Sequence, residues 1–404
     1  MFRVLSAIPI LLAAALPVMA QDGPAPVLPL TETPAADSGR FWARAEYLLW
    51  FIRGDHGSVP LATTGPVGAP HAGALGAPGT QVLIGPDLNY KPNSGGRLWL
   101  GSWLDSDMTI GVDASGFCLE THSMHKKAYS NRTDGAPVIA RPFYNLLTGQ
   151  EDAQIITSPA DALGGRSIGG ISLFGDSRLW GGETNLLFNL AAAPAMRWDL
   201  VAGFRYLGQK DEFRSDQSST VLKAGTVGFG GAPAPPPDIV SLRDFLQTTN
   251  QFYGGQIGVQ GRLQNGAWNL DLGGRVGLGV NQVHLEATGR TLLTNAAGTT
   301  QYLFGGLFVP PNLSRADRSP IGYMSEANVR VGYRITERWL ASVGYTFLYW
   351  GNIIRPLGQI NPAIDPRNVP SSLAYNPAAP VPPFALQATN YWAQGLTFGL
   401  EYRY

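Results

Sequence analysis

Apolar and polar residues alternate in ten short stretches of this chain. The first stretch, FWARAEYLLWF, begins at Phe41, and the last, YWAQGLTFGLEYRY, ends at Tyr404. An alternation with a period of two residues predicts a β-strand that has one apolar and one polar face. The pattern therefore predicts an all-β protein of about ten strands, with twelve as the alternative count.

The spacing between these stretches is regular, because short turns and long segments follow one another in strict alternation. Four hairpins are predicted, with turns at Asp105–Asp107, between RLWGGETNLLF and RWDLVAGFRYL, at Asn265–Gly266 and at Glu337–Arg338. Asn-Gly between two alternating runs is a strong hairpin signal. The long segments are predicted as loops at roughly 53–94, 118–177, 215–249, 286–320 and 351–389. Five such loops are unusual for a compact soluble domain, whereas outer-membrane barrels combine short periplasmic turns with long extracellular loops.

The apolar face of the ten predicted strands carries no charged residue. Arg or Lys at the middle of a bilayer costs about 2 to 4 kcal/mol, so lipid contact requires such a face. The opposite face is predicted to line the barrel lumen, and it carries Arg44, Glu46, Arg97, Asp113, Glu183, Asp199, Arg205, Arg262, Asp271, Arg275, Arg330 and Arg334, together with Glu401 and Arg403.

Large aromatic residues recur near the ends of the predicted strands. Their positions are Trp50, Trp180, Trp198, Trp268, Tyr349, Trp350 and Tyr404. Trp and Tyr are enriched where a transmembrane barrel meets the two membrane surfaces. This pattern favours a single transmembrane antiparallel barrel over a soluble β-sandwich.

The beginning of the chain predicts export from the cytoplasm. Residues 1–20 combine a basic residue, an apolar stretch and a small-x-small cleavage site, which is typical of a signal peptide. Residues 21–40 are rich in Pro and Ala and are predicted to be a flexible leader. Residues 41–404 are then the barrel, and we expect it to be integral to a bacterial outer membrane.

Composition excludes several other classes of function. Charged residues make up 14% of the chain and the formal net charge is zero, which gives nucleic acid no electrostatic attraction. Cys118 is the single cysteine, so the sequence predicts neither an internal disulfide nor a cysteine metal site. No cofactor is expected. His122 and His125, with Glu120 nearby, form a weak candidate for a metal or a catalytic base.

Several stretches resemble one named family of bacterial outer-membrane proteins, Putative beta barrel porin-7. They include FWARAEYLLWFIRGD, SRLWGGETNL, QFYGGQIGVQGR, VGYTFLYWGNIIRP and YWAQGLTFGLEYRY, and the resemblance extends from Phe41 to Tyr404. It implies an outer-membrane barrel with no transferable catalytic or substrate-binding residues.

Two functions follow as expectations. The first is porin-like passive diffusion of small hydrophilic solutes. The alternative is a barrel that is plugged by its own charged side chains and acts as a structural or surface-recognition protein through its long loops. Barrels of about eight strands are filled by side chains, whereas 16 to 18 strands leave an aqueous channel. We expect no enzymatic activity. The expected partners are outer-membrane lipid and the barrel assembly machinery, which would recognise the last strand and Tyr404.

Overall fold

Ten strands form one closed antiparallel ring in the computed structural model, which describes residues 40–130 and 132–404. The predicted signal peptide and all but the last residue of the leader lie outside the described residues. The strands are β1 (Phe41–Ile52), β2 (Asn93–Trp103), β3 (Ile110–Leu119), β4 (Arg166–Ala193), β5 (Met196–Lys223), β6 (Ile239–Asn265), β7 (Trp268–Thr294), β8 (Ile321–Arg334), β9 (Trp339–Ile353) and β10 (Thr389–Arg403). Each strand pairs with the next, and β10 closes the ring on β1, with Trp42 opposite Arg403. The fold class predicted from the sequence is confirmed.

The four short connections all lie at one end of the ring, the short-turn end. The first residues of β1 and the last residues of β10 lie at the same end. Two of these connections have only two residues, and in the one that joins β6 to β7, Gly266 has φ +61°, which favours glycine. Short turns mark the periplasmic side of an outer-membrane barrel. The opposite end, the long-segment end, is therefore extracellular. Among the described residues, no helix is long and apolar enough to cross a membrane.

Four strands are much longer than the sequence predicted. β4 and β5 each have 28 residues, and β6 and β7 each have 27. Their outer halves include residues 166–177, 215–223, 239–249 and 286–294 of the predicted loops at 118–177, 215–249 and 286–320, so predicting loops at those residues was wrong. The outward face becomes polar beyond Tyr206, where Lys210, Glu212 and Arg214 follow at every second position. The alternation of apolar residues ends there because the strand has left the lipid.

The outer halves of β4 to β7 form a wall above the membrane. With a rise of about 3.3 Å per residue and a tilt of 35–45°, this wall extends roughly 40 Å beyond the lipid. The strand His122–Ser130 continues the line of β3 and pairs with the outer half of β4. Strands Thr300–Phe304 and Arg315–Arg318 extend the wall beside β7.

Two rings of aromatic side chains border the apolar band on the outside of the barrel. At the short-turn end, the ring centroids of Trp268 and Tyr333 are 5.0 Å apart. At the outer edge, Tyr206 and Tyr253 are 5.2 Å apart, and Trp180 Nε1 donates to the Tyr206 hydroxyl at 3.2 Å. Among the described strands, no Asp, Glu, Lys or Arg faces outward between the two rings. This band is the lipid-facing surface of the barrel.

Two of the predicted interface aromatics do not lie at the interface. Trp50 and Trp350 are fully buried and point into the barrel. They occupy even positions on β1 and β9, and these positions share the face of the lumen residues Glu46 and Thr346. Proximity to a strand end therefore misled the sequence analysis, since the phase of the alternation determines the face.

The remaining segments at the long-segment end pack against the concave side of the wall. Their strands are Asp55–His56, Ala62–Thr64, Gln81–Ile84, Asp87–Leu88, Ile139–Asn145, Gln150–Thr157, Gly228–Phe229, Ala232–Pro233 and Ala363–Ile364, with 3₁₀ turns at Leu357–Gln359 and Pro366–Asn368. Their apolar side chains form a buried core with those of the wall; for example, Leu61 and Phe143 share it with Leu173 and Leu285. The extracellular half is thus a filled structure.

The lipid-facing band predicts how stability responds to a charge at different depths on one strand. Ile257 is 62% exposed on the outside of β6, between the two aromatic rings. Replacing Ile257 with Arg should lower the free energy of unfolding in a phospholipid bilayer by about 2 to 4 kcal/mol, because the charge enters hydrocarbon.

Thr249 provides a matched control, because it faces outward on the same strand beyond Tyr253. Thr249→Arg should change the free energy of unfolding by less than about 1 kcal/mol. Urea unfolding in vesicles measures both variants. Equal losses at the two positions would contradict the placement of the lipid band.

Candidate functional site in the barrel lumen

The residues predicted to line the lumen all lie on the inward-facing positions of their strands. Eleven of them occupy the interior: Arg44, Glu46, Arg97, Asp113, Glu183, Asp199, Arg205, Arg262, Asp271, Arg275 and Arg330. Arg334 shares their face but lies at the rim of the short-turn end, opposite Leu340. Glu401 and Arg403 face inward from β10. The structure brings most of these side chains into contact.

Ion pairs cross the lumen and join strands on different sides of the ring. Arg205 on β5 contacts Glu183 on the neighbouring β4 at 2.9 Å and Glu326 on β8 at 2.5 Å. Arg330 on β8 contacts Glu46 on β1 at 3.3 Å. β5 and β8, like β8 and β1, are three positions apart in the ring, so these side chains span the interior. The charged groups meet at the centre.

The same network continues towards the short-turn end. Arg262 contacts Asp271 at 2.6 Å and Glu401 at 3.4 Å. Arg44 reaches Glu401 at 3.2 Å, and Arg330 also bonds Asp271 through Nε at 2.9 Å. A buried charge is tolerated when it is paired and hydrogen-bonded. The ion-pair layer, defined by these residues and those of the preceding paragraph, meets that condition by linking seven strands.

The sequence analysis omitted two charged members of the lumen. Glu326 is 3% exposed and bonds Arg205, and Arg197 contacts Asp199 at 2.9 Å. Glu326 could have been found, because it occupies the same alternate positions as Arg330 and Arg334 on β8. Arg197 adjoins the turn between β4 and β5, where the phase of the alternation is least certain.

An apolar layer fills the next cross-section towards the long-segment end. It consists of Leu48, Trp50, Ile52, Phe117, Leu119, Leu179, Leu207, Phe252, Met324, Leu348, Trp350, Ile353, Tyr391 and Ala393, all of them buried. Trp50 packs on Phe117 with ring centroids 5.5 Å apart, and Phe252 packs edge-on against Trp350 at 6.4 Å. Eight of the ten strands contribute to this layer, which therefore closes the lumen above the ion pairs.

Two buried arginines fasten the inner segments to the wall beyond the apolar layer. Arg141 is fully buried, and its Nη1 donates to Asp244 at 2.9 Å and to Gln217 at 3.2 Å. Asp244 also accepts hydrogen bonds from the backbone N–H groups of Phe308 and Val309. One wall carboxylate thus holds two segments that are far apart in sequence.

The second arginine joins three segments. Arg355 Nε contacts Asp211 at 2.6 Å, and its Nη1 donates to the carbonyls of Arg53 and Gly54, each at 2.7 Å. Asp55 lies 4.0 Å from Arg355 and accepts a hydrogen bond from Leu357 N at 2.8 Å. Two carboxylates therefore share one guanidinium. Burial raises the pKa of Asp55 from 3.8 to about 6. The positive charge of Arg355 acts to lower this pKa, and the negative charge of Asp211 acts to raise it.

The two histidines of THSMH do not converge on one site. A spacing of three residues places them on opposite faces of the strand His122–Ser130. His122 Nε2 accepts a hydrogen bond from Lys91 N at 3.3 Å, whereas the His125 ring stacks on Phe174 at 4.3 Å. Among the described residues, no group of three or more His, Cys, Asp or Glu side chains could hold a metal ion.

The ion-pair layer predicts a large loss of stability when one partner is removed. Arg205→Met leaves Glu183 and Glu326 buried without their cation, and an uncompensated buried charge costs about 3 to 5 kcal/mol. The triple variant that also carries Glu183→Gln and Glu326→Gln should lose less than the single variant. Urea unfolding in detergent micelles, followed by the change in gel mobility, measures the free energy of unfolding.

Arg334→Met is the control for this prediction. Arg334 lies on the same face, but the ion pairs found among the described residues do not include it, and we expect a change within about 0.5 kcal/mol. If Arg205→Met were no more destabilising than Arg334→Met, the ion-pair layer would not stabilise the closed lumen.

The Asp55 carboxyl predicts a dependence of stability on pH. Its pKa in the folded state lies above the usual 3.8. The folded chain therefore binds more protons than the unfolded chain between about pH 4 and 6. As a result, the stability that this group contributes falls as the pH rises through 6. Between pH 5 and pH 7 this loss is about 1 kcal/mol. Asp55→Asn keeps an acceptor for Leu357 N and should remove that part of the pH dependence. Asp107→Asn, in an exposed turn, should leave it unchanged. The test is the free energy of unfolding at pH 5 and pH 7, measured for the wild type and for the two variants.

Two solved structures of outer-membrane proteins show a distant similarity to this chain. The structure of the outer membrane protease OmpT from Escherichia coli is similar with a TM-score of 0.39 and 10% identity, over 92% of this chain and 99% of that one. The toluene transporter TodX of Pseudomonas putida gives a TM-score of 0.20 and 8% identity, over 92% and 91%. These scores are too low to transfer any activity. No curated protein matches the sequence.

A family model gives the decisive match. The model described as Putative beta barrel porin-7 matches residues 42–404, which is nearly the whole chain and includes all ten strands of the ring. The resemblance stated from the sequence is thereby confirmed. The chain belongs to the Putative beta barrel porin-7 family of outer-membrane β-barrels.

Proposed function

We propose that this protein is a closed outer-membrane barrel that acts as a structural and surface-recognition protein, rather than as an open diffusion pore. The observation that carries the proposal is the filled lumen. Two successive cross-sections, the ion-pair layer and the apolar layer, are occupied by side chains in direct contact. This is the plugged alternative that the sequence analysis left open.

Passage of a hydrophilic solute would require both layers to open. In the apolar layer, Trp50, Trp350, Leu207 and Phe252 are each 0% exposed, and they leave no polar path for water. Below it, a solute would have to separate Arg205 from two carboxylates. Both steps expose buried groups that are stabilised by their present partners.

The extracellular half supports a role in contact with the cell's surroundings. The wall of β4 to β7 is stiffened by the pairing of its strands and by the buried core on its concave side. The inner segments present exposed apolar side chains at this end, including Val82 and Leu83 on one short strand and Leu146 and Leu147 in a hairpin turn. Binding residues are often carried on connections that a rigid scaffold holds in place.

Passive diffusion is the second candidate, and the family name favours it. The lumen also contains an open cavity at the short-turn end, which would serve as a vestibule for a pore. In this candidate, the closed state described above exchanges with an open one. The two candidates differ in conductance.

The proposed partners follow from the two surfaces of the barrel. Lipid contacts the apolar band. The backbone of Tyr404 pairs with Phe41, with Tyr404 N donating to Phe41 O at 2.9 Å, and its side chain is 74% exposed. That exposure suits the proposed role of the terminal strand as the signal for assembly. We propose no catalytic role.

Single-channel recording tests the proposal. The purified protein in a planar lipid bilayer should insert without producing stable conducting steps, because both layers exclude ions. The variant Trp50→Ala/Phe252→Ala/Trp350→Ala removes the bulk of the apolar layer, and water can then reach the charged layer below. Hydration weakens the ion pairs of that layer, so they can separate, and we expect this variant to conduct small ions.

Trp392→Ala is the matched control, since Trp392 faces outward from β10 at the membrane edge. It should insert and remain silent like the wild type. Stable steps of the same size in the wild-type protein and in the triple variant would refute the closed barrel and favour the porin.

A further inference from the structure

A cavity of about 250 Å³ lies inside the lumen at the short-turn end. We call it the vestibule. It is bounded on one side by Trp42, Trp99 and Trp103, on the other by the amide-bearing residues Gln260 and Asn328, and it ends at the ion-pair layer. Its volume equals that of roughly eight water molecules in the liquid. It is large enough for a small solute.

The vestibule has a surplus of positive charge. Six arginines line it, at positions 44, 197, 262, 275, 330 and 403, against four acids, at positions 113, 199, 271 and 401. A surplus remains when the deeper ion pairs are included, because eight arginines and seven acids face the membrane-spanning lumen. Positive charge gathered between low-dielectric walls attracts anions.

Of the six arginines that line the vestibule, Arg275 is the one least committed to a protein carboxylate. Its side chain is 4% exposed, and the nearest carboxylate is that of Glu183, 3.9 Å from its Nε, which is too long for a hydrogen bond. Glu183 is already bonded by Arg205 at 2.9 Å. Arg275 Nη2 donates only a long bond of 3.3 Å to the amide oxygen of Gln260.

A second donor in the vestibule is buried without a partner. Trp99 is 5% exposed, and its indole Nε1 has no hydrogen-bond acceptor. Arg275 and Arg44 lie over its ring, at 5.4 Å and 4.9 Å from the centroid. A buried polar group without a partner is destabilising, and such a group calls for an explanation. An acceptor bound beside Arg275 would satisfy both donors.

We propose that the vestibule binds a small dianionic solute, with one of its oxyanion groups held by Arg275 and the Trp99 indole N–H. The surplus of two positive charges matches a dicarboxylate or a phosphate. Charge-assisted hydrogen bonds from a guanidinium to such groups are the strong ones. This site is independent of whether the lumen opens, since it is reached from the short-turn end and ends at the ion-pair layer.

Isothermal titration calorimetry on the refolded protein in neutral detergent tests the site. Succinate and inorganic phosphate are the probes, and succinamide is the uncharged counterpart of succinate. Succinate, phosphate or both should bind with a dissociation constant that rises with salt, and succinamide should give no heat. The relative affinity of the two anions identifies the preferred group.

Three variants test the named donors. Arg275→Gln should weaken binding at least tenfold, and Trp99→Phe, which keeps the ring but removes the N–H, should weaken it several-fold. Arg334→Gln lies outside the vestibule and should bind like the wild type. Gel mobility verifies that each variant is folded. If neither anion binds the wild type, or if the folded Trp99→Phe and Arg275→Gln proteins bind as tightly as Arg334→Gln, the proposal is wrong.

Discussion

The bilayer leaves no water for backbone or charged groups, and this constraint governs the whole structure. Each backbone N–H and C=O within the hydrocarbon must find a partner in the chain, which a closed ring of strands provides. The ring closes where β10 meets β1, so the last strand is as much a part of the barrel as any other. The same constraint removes charge from the outward face and sends every charged side chain of the spanning strands inward.

A ring of ten strands then forces those inward charges together. Small barrels have an interior that side chains can fill, and here Arg205 and Arg330 reach carboxylates on strands three positions away. Pairing compensates for the loss of hydration, although a buried pair of this kind adds little net stability compared with an apolar filling. The ion-pair layer therefore links strands on different sides of the ring, and the adjacent apolar layer completes the closure.

Beyond the lipid the constraint is lifted, and the architecture changes accordingly. The convex side of the wall becomes polar after Tyr206, while its concave side buries apolar side chains such as Leu173 and Leu285 against the inner segments. Arg141 and Arg355 connect those segments to wall carboxylates. One barrel thus contains a lipid-solvated half and a half that is built like a water-soluble domain.

The sequence by itself determined the number of strands, their phase and the identity of most inward-facing charges, because a face in contact with lipid imposes a strict alternation that can be read one residue at a time. The family followed separately, from the resemblance of whole stretches of the chain. It failed where that alternation no longer reports the environment. The outer halves of β4 to β7 were predicted as loops since water accepts polar side chains on a strand, and Trp50 and Trp350 were placed at the interface although their phase points inward. Only the tertiary structure could decide whether Arg205 contacts Glu326. The two residues are 121 positions apart in the chain, and their contact depends on the diameter of the closed ring.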